Sequence, residues 1–303
     1  MNLFFAPLQG YTHAAYRRIH HEIVGGITAY YTPFVRWEHG AVRNKDLRDV
    51  SLEACAGVPT IPQIIARDID EMRRLCDLLQ TIGWQRIDLN LGCPFPMQTG
   101  AGRGSGLLPH PDRVWALIEE MRGRREVRFS VKMRLGLDTA DECLRLLPIL
   151  NESGLSHIVL HPRTGRQQYR GVPNGEAFAA FYEECRLPLV YNGDVATMAQ
   201  ADELCRRFPR LHGLMIGRGL LACPTMLRPD MSDEQRIECL QTMHDRLLDN
   251  AVRTLNGDQQ ILNYMHAFWQ YQEPFVERKI YKRIMKSGSL RNYTTAAEEF
   301  FSC

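Results

Sequence analysis

The chain has 303 residues, of which 45% are hydrophobic and 24% are charged, and its formal net charge is +2. This length leaves room for one large α/β domain and a small second one. No apolar run approaches the ~20 residues that span a bilayer, and the N-terminus lacks the basic flank and cleavage site of a signal peptide. We therefore expect a cytoplasmic protein with no membrane contact. Its 9 cysteines include no C-x-x-C pair, which predicts neither a disulfide framework nor a metal site.

Short apolar runs alternate with amphipathic helical patterns through most of the chain. The predicted strands are residues 3–7, 29–34, 60–66, 86–92, 128–134, 157–161, 187–191 and 213–216. The clearest predicted helices are residues 69–82, 112–121, 140–151 and 198–207. About eight β units that alternate with α units predict an α/β fold of the (β/α)8 TIM barrel type. An open doubly wound sheet is the alternative, but it usually carries G-x-G-x-x-G after its first strand, where this chain has Ala6-Pro7-Leu8-Gln9-Gly10.

One predicted strand stops at a cysteine. Apolar and polar residues alternate in Ile87-Asp88-Leu89-Asn90-Leu91-Gly92-Cys93-Pro94, which predicts a strand with polar groups on one face and Cys93 at its carboxyl end. A lone cysteine is most often a small buried apolar side chain. The glycine-rich run that follows, residues 99–108, favours a functional site, because such a run forms either a mobile lid or a cradle against a ligand.

Polar and cationic side chains follow the predicted strands where each strand ends. They are Gln63, Asn90, Cys93, Lys132, Arg134, His161, Arg163, Asn192, Gly193, Asp194, Gly217 and Arg218. A barrel brings the carboxyl ends of its strands to one face, so this set predicts an active site there. The glycines after the last two strands, together with Arg218, suit a phosphate group. Lys132 would then lie near an electron-rich ring, and the combination fits flavin mononucleotide, FMN.

The chain changes to a purely helical pattern after Pro229. Ser232 and Gln235 form the signature of a capping box, and a segment near residues 259–271 is rich in aromatic residues. A third helical segment, near residues 277–286, carries a basic ridge at Arg278, Lys282 and Lys286. Such a ridge is most often a solvated face, but beside a cationic barrel mouth it predicts a surface for a polyanion. We therefore predict a catalytic barrel domain over residues 1–229 and a small C-terminal helical domain over residues 230–303.

These segments together resemble the tRNA-dihydrouridine synthases. The resemblance rests on Ala6-Pro7-Leu8-Gln9-Gly10-Tyr11-Thr12, Asp88-Leu89-Asn90-Leu91-Gly92-Cys93-Pro94, Lys132-Met133-Arg134, His161-Pro162-Arg163-Thr164, Asn192-Gly193-Asp194 and Gly217-Arg218-Gly219. It covers nearly the whole chain and is specific as a combination, whereas each piece alone is weak. The spacing of residues 99–104 is similar to that of the bacterial subgroup that acts on position 16 of the tRNA D-loop.

The resemblance implies an FMN enzyme that reduces the 5,6 double bond of a uridine in tRNA, with NADPH as electron donor. It implies hydride transfer to C6 of the uracil and proton transfer to C5 from Cys93, the expected catalytic residue. The expected cofactor-binding residues are Ala6, Pro7, Leu8, Gln63, Lys132, His161, Asn192, Gly193, Asp194, Gly217 and Arg218. The expected substrate-binding residues are Asn90, Arg134, Arg163, Arg278, Lys282 and Lys286. The target base must leave its stack, so the helical tail is the expected tRNA-binding surface of a monomer.

Three positions depart from the family's usual pattern. Phe95-Pro96-Met97-Gln98 stands where a lysine is common, Thr32-Pro33 stands where Thr-Glu is common, and Pro162 replaces a small residue. All three are expected on the substrate side rather than the flavin side. Two alternatives remain open from the sequence: an FMN barrel oxidoreductase acting on a small molecule such as dihydroorotate or an enone, and a noncatalytic RNA-binding relative.

Overall fold

In the computed structural model, which describes residues 1–302, a parallel β-sheet closes on itself and helices cover its outer face. The strands are β1 (Asn2–Phe5), β2 (Ala29–Tyr31), β3 (Val35–Glu38), β4 (Ala41–Val42), β5 (Thr60–Ile61), β6 (Gln63–Ile65), β7 (Arg86–Leu91), β8 (Arg128–Gly136), β9 (Ile158–Thr164), β10 (Leu189–Tyr191) and β11 (Gly213–Ile216). The helices are α1 (Ala14–Ile23), α2 (Asn44–Asp49), α3 (Ile69–Ile82), α4 (Pro96–Thr99), α5 (Pro111–Gly123), α6 (Glu142–Asn151), α7 (Gly175–Glu184), α8 (Met198–Arg207), α9 (Arg218–Ala222), α10 (Asp233–Thr254), α11 (Asp258–Trp269), α12 (Arg278–Met285) and α13 (Leu290–Phe301).

Two interrupted strands close the barrel. β2 and β3 form one extended run that breaks around Pro33, and β5 and β6 form another that breaks at Pro62. β2 pairs with β5 and β3 with β6, both in parallel, and parallel pairing continues from β6 through β7, β8, β9, β10 and β11 to β1, which pairs with β2. Proline has no N–H for the ladder. Directly after Pro62, the backbone N–H of Gln63 donates to the Thr32 hydroxyl at 3.0 Å, which links the two interrupted runs at the break. The predicted (β/α)8 barrel is confirmed.

Helix bounds follow the sequence pattern where strong caps are present. α3 and α8 have the predicted bounds. The Asp68 carboxylate caps α3 by accepting from the backbone N–H of Glu71 at 2.9 Å, and Gly83 ends this helix in the left-handed region at φ 114°. The strands predicted as continuous over residues 29–34 and 60–66 are instead broken, because each contains a proline.

The barrel interior is apolar on one side and polar on the other. The apolar side consists of Phe4, Ala6, Ala29, Tyr31, Ile61, Val159, Val190 and Met215. On the polar side Gln63, Asp88 and Ser130 lie at one level, because Asp88 of β7 is the register partner of Gln63 on β6 and of Ser130 on β8. All three are buried, and buried polar groups are stable only when they are hydrogen-bonded.

The glycine-rich segment after β7 packs around the backbone of Cys93. Ser105 donates to the Cys93 carbonyl from both its backbone N–H, at 3.1 Å, and its hydroxyl, at 3.0 Å. Arg103 anchors the segment through a buried ion pair with Glu71 of α3, at 2.6 Å. Gly104 has φ 58°, and a Cβ there would lie 2.7 Å from the Cys93 carbonyl oxygen. The segment is thus packed against the barrel, and the choice between a lid and a cradle for a ligand stays a prediction.

The helices after residue 229 pack around an aromatic cluster. The Tyr293 hydroxyl accepts from the Trp269 indole N–H at 2.8 Å and hydrogen-bonds to His244 Nε2 at 2.7 Å. The predicted capping box at Ser232 is present. Gln272 joins this region to the barrel by donating to the Leu221 carbonyl at 2.6 Å. The division into two domains stays a prediction, and the last residue of the second, Cys303, lies outside the described residues.

Neither a membrane span nor a metal cluster is found in the described part of the chain. Among residues 1–302, no helix combines the length and the apolar character needed to cross a bilayer. Over the same residues, no group of three His, Cys, Asp or Glu side chains is arranged to hold a metal ion.

Substituting Gly104 by alanine is expected to destabilise the fold by about 2–4 kcal/mol, because strain from a positive φ is added to a clash with the Cys93 backbone. Gly154→Ala is the matched control. Gly154 has φ 73°, but nothing lies within 4 Å of its added Cβ, so about 1–2 kcal/mol of strain is expected alone. Urea unfolding measures both losses, and equal losses would show that the contact with Cys93 contributes nothing.

Candidate functional site

A cavity of about 360 Å³ opens at the carboxyl ends of the barrel strands. Its size falls within the ~300–1,000 Å³ typical of small-molecule sites. The residues that line it are Ala6, Pro7, Leu8, Gln9, Tyr11, Pro33, Phe34, Gln63, Asn90, Gly92, Cys93, Pro94, Phe95, Lys132, Arg134, His161, Tyr169, Asn192, Gly193, Asp194, Gly217, Arg218 and Tyr271. Every residue expected from the sequence to bind the cofactor therefore faces this one space, together with Cys93, Asn90 and Arg134.

Lys132 presents an ammonium group to the cavity. It lies on β8 as the register partner of Asn90 on β7, and it forms no salt bridge within residues 1–302. Burial lowers the pKa of Lys132 to about 8, and the positive charge of Arg134 adds to this effect. The group still carries its proton at neutral pH, so it is available to stabilise negative charge on a ligand.

His161 is neutral. Burial holds its pKa well below the ordinary value, and the surrounding cations, Arg134 first among them, lower it further. Its Nε2 lies 3.1 Å from the Arg163 guanidinium. Because arginine only donates hydrogen bonds, Nε2 must accept, and the imidazole proton is on Nδ1. His161 is therefore a hydrogen-bond donor at the cavity and not a cation.

Arg163 does not reach the cavity, in contrast to the expected contact with substrate. Its side chain is fully buried, and its guanidinium binds the Asp194 carboxylate at 2.6 and 3.0 Å. It also donates to the carbonyl of Gly171 at 2.5 Å. With these donors engaged, Arg163 fixes the positions of His161 and Asp194 and does not line the cavity.

The Asp194 carboxylate joins two arginines at the cavity edge. Arg218 donates to Asp194 Oδ1 at 2.5 Å, the same oxygen that accepts from Arg163 at 3.0 Å. Burial alone would raise the pKa of Asp194, but the hydrogen bonds and charges of Arg163 and Arg218 outweigh burial and hold that pKa below its ordinary value. Arg218 therefore shares its carboxylate partner with Arg163.

The glycines after β10 and β11 suit a phosphate group. Within the described residues, no acceptor takes the backbone N–H of Gly193 or of Gly217. A Cβ at Gly217 would lie 3.2 Å from both Ala6 and Leu8 at the cavity wall. Free backbone N–H groups beside an arginine form the type of donor set that binds phosphate oxygens, so these residues fit the phosphate end of a flavin nucleotide.

Cys93 lies in the cavity wall beneath the mouth, packed against Phe34 and Ile65 and only 6% exposed. Asn90 accepts from its backbone N–H at 2.8 Å, while Ser105 holds its carbonyl. Burial raises the pKa of the thiol above its ordinary value, although Arg134 and Lys132 act in the opposite direction. The thiol therefore keeps its proton at neutral pH, as a general acid requires.

Aromatic residues around the mouth are not among the site residues expected from sequence. Tyr169 lies against the guanidinium groups of Arg134, at 5.4 Å, and Arg218, at 5.0 Å. Tyr271, which follows α11, packs edge to face on Tyr11 at 5.2 Å. Neither tyrosine ends a predicted strand. Tyr169 reaches the site from the loop after β9, and Tyr271 reaches it from the helical region.

The basic ridge lies elsewhere on the molecule. Arg278, Lys282 and Lys286 are exposed on or beside α12, and none of them lines the cavity. Lys282 and Lys286 border a shallow surface groove near the start of α13. The neighbouring Arg283 is paired with Glu299.

Comparison with known proteins identifies the family of this chain. The profile of the dihydrouridine synthase (Dus) family matches residues 4–300. A probable tRNA-dihydrouridine synthase of Rhodobacter capsulatus is 29% identical over 227 residues, which are 74% of this chain and 69% of the relative. A tRNA-dihydrouridine(16) synthase of Pseudomonas putida is 29% identical over 234 residues, which are 75% of this chain and 72% of the relative.

A tRNA-dihydrouridine synthase B of Pasteurella multocida is 28% identical over 75% of this chain and 68% of the relative. Among solved structures, the old yellow enzyme from Trypanosoma cruzi is similar in fold, with a TM-score of 0.53 and 8% identity over 75% of this chain and 86% of that one. The family match spans nearly the whole chain. The chain therefore belongs to the dihydrouridine synthase family of flavin-dependent oxidoreductases.

Proposed function

We propose that this protein reduces the 5,6 double bond of a D-loop uridine in tRNA to dihydrouridine, with FMN as cofactor and NADPH as electron donor. The observation that carries the proposal is the convergence of a protonated thiol, a free ammonium group and a phosphate-binding edge on one cavity. The names of the similar proteins support tRNA as the substrate.

The cavity offers complementary groups for both ends of FMN. Gly193, Gly217 and Arg218 would hold the phosphate, while Ala6, Pro7 and Leu8 line the wall beside it. Gln63, Lys132 and His161 would hold the flavin ring, and the Lys132 charge favours the anionic reduced form. Bound FMN supplies the hydride that is added to C6 of the uracil.

Cys93 would supply the proton for C5. Hydride addition at C6 creates negative charge on the enolate that includes C5, and a nearby acid is needed to quench it. The raised thiol pKa keeps the proton in place until that charge develops. Asn90 and Arg134, which also line the cavity, would hold the uracil. Arg163 is omitted from this set, because its guanidinium is occupied by Asp194.

The helical tail would bind the tRNA body. Arg278, Lys282 and Lys286 are exposed, and within residues 1–302 they form no salt bridge, so their charges are free for phosphates. We retain the division into a barrel over residues 1–229 and a tRNA-binding domain over residues 230–303. A monomeric state and a cytoplasmic location remain predictions.

Position 16 of the D-loop is the uridine we propose to test first. Two similar proteins, from Pseudomonas putida and Salmonella typhimurium, are named for that position. The Pasteurella multocida relative, at comparable identity, carries a different name, so direct mapping of the modified base is the appropriate test.

Replacing Cys93 by alanine is expected to lower turnover by roughly 10²-fold or more, the usual loss when a general acid is removed. Flavin absorbance of the purified protein should be unchanged. Dihydrouridine formed in unmodified tRNA with NADPH, measured by nucleoside mass spectrometry, reports turnover. Cys239→Ala, a half-buried thiol on α10, is the control and should retain full activity. Full turnover by the Cys93 variant would remove the thiol from the mechanism.

The pKa of Cys93 is expected to exceed the ordinary thiol value of 9.0, because burial disfavours the thiolate. The protonated form acts as the acid, so activity that depends on it is lost only as pH rises through the elevated pKa. Thiolate absorbance at 240 nm, taken as wild type minus Cys93→Ala, isolates this single titration. A thiolate titration with a pKa below the ordinary thiol value would contradict the assignment of Cys93 as an acid.

Binding of tRNA is expected to weaken steeply with salt and to depend on the basic ridge. The double variant Lys282→Gln/Lys286→Gln should weaken affinity roughly tenfold and reduce the slope of log Kd against log salt by about 1–2. Lys45→Gln/Arg48→Gln, which removes the same charge from exposed positions on α2, is the matched control. Filter binding measures both, and equal effects would place the tRNA on another surface.

A further inference from the structure

A chain of buried hydrogen bonds runs beneath the cavity from β7 to the Cys93 loop. The Gln63 side-chain NH2 donates to Asp88 at 2.7 Å, and the Gln63 carbonyl accepts from the Asn90 NH2 at 2.7 Å. The Asn90 carbonyl in turn accepts from the backbone N–H groups of Gly92, at 3.0 Å, and Cys93, at 2.8 Å. Gln63 and Asp88 have no exposed surface.

The Asp88 carboxylate sets the order of donors and acceptors in this series of hydrogen bonds. An ionised carboxylate accepts hydrogen bonds and donates none, so Gln63 must turn its NH2 toward Asp88. Its carbonyl then faces Asn90, and Asn90 must turn its own carbonyl toward the loop. Rotating either amide by 180° would bring like groups together and leave buried donors and acceptors unpaired, which costs about 1–3 kcal/mol for each group.

Asp88 is well supported as an acceptor. Ser130 of β8 donates to its second oxygen at 2.6 Å. Burial raises the pKa of Asp88 to about 6, while the hydrogen bonds from Ser130 and Gln63 limit the rise. The group is therefore ionised at neutral pH and can hold the Gln63 amide in one orientation.

We propose that Asp88 is a positioning residue for Cys93, which acts through Gln63 and Asn90 to hold the loop backbone at the thiol. Asp88 touches neither substrate nor cofactor. Its carboxylate fixes two amides, and the second amide fixes the backbone N–H of the residue that carries the thiol.

The test uses the full-length protein labelled with 15N-cysteine. The Cys93 amide signal is identified by its loss in Cys93→Ala, and its exchange with solvent deuterium is followed by NMR. Asp88→Ala should speed exchange of this amide roughly tenfold, the effect of losing one ordinary hydrogen bond. Asp88→Asn keeps an acceptor oxygen and should restore the rate to within about twofold of wild type.

Two controls separate positioning from general destabilisation. Ser130→Ala removes the other donor to Asp88 and should leave Cys93 exchange unchanged. The buried amides of Cys76 on α3 and Cys143 on α6 should keep their wild-type rates in every variant. If Asp88→Ala does not fold, Gln63→Met interrupts the same series of hydrogen bonds one step nearer the loop. It should speed exchange of the Cys93 amide by the same factor.

An unchanged Cys93 rate in the folded alanine variant, or in Gln63→Met, would overturn the proposal. Equal acceleration of the Cys76 and Cys143 amides would also overturn it, because it would show only a loss of global stability. The inference rests on the proposed role of Cys93 in proton transfer. The exchange measurement needs no turnover, so a failure of that role, seen as full activity of Cys93→Ala, is distinguishable from a failure of the positioning chain.

Discussion

The uninterrupted circuit of parallel strand pairs is the constraint on which the rest of this molecule depends. Because the strands of this circuit all run in one direction, residues near their carboxyl ends meet at a single rim, although Ala6 and Arg218 are far apart in sequence. Only β4, which pairs antiparallel with β3 outside the circuit, differs among the described strands. The circuit closes only where β5 and β6 meet across Pro62. At this point the Thr32 hydroxyl accepts a hydrogen bond from the Gln63 backbone N–H, and this contact helps to maintain the geometry of the cavity wall.

The cationic side chains at this rim repel one another, and they differ in how many hydrogen-bond acceptors offset their charge. Arg163 binds Asp194 and two backbone carbonyls, and Arg134 donates to the carbonyls of Gly92, Thr164 and Gln168. Arg218 shares Asp194. Lys132 forms no salt bridge within the described residues, and the nearby Asp88 carboxylate raises its pKa by less than burial and Arg134 lower it. Under the proposed function, a bound anionic cofactor would offset the positive charge of this rim.

The thiol is held by groups from several parts of the chain. Asn90 fixes the N–H side of Cys93 and Ser105 fixes its carbonyl side, while Arg103 ties the intervening loop to α3. Tyr271 reaches the mouth from the helical region and packs on Tyr11. The rim is therefore built from both the barrel and the helices after residue 229, and under the proposed function the tRNA would meet both.

The sequence by itself determined the barrel, because alternation of period two and amphipathic helices of period 3.6 are local patterns that survive in the fold. It also predicted that Cys93, Lys132 and His161 face one site, since a barrel gathers such residues at one face, although Lys132 lies within β8 and His161 within β9 rather than at the strand end. Only the tertiary structure decided that Arg163 forms an ion pair with Asp194 and that Tyr169 and Tyr271 border the mouth of the cavity. It also decided that two strands break at their prolines. Those outcomes depend on which side chains meet across the sheet, and contacts between distant residues leave no periodic signal in the chain.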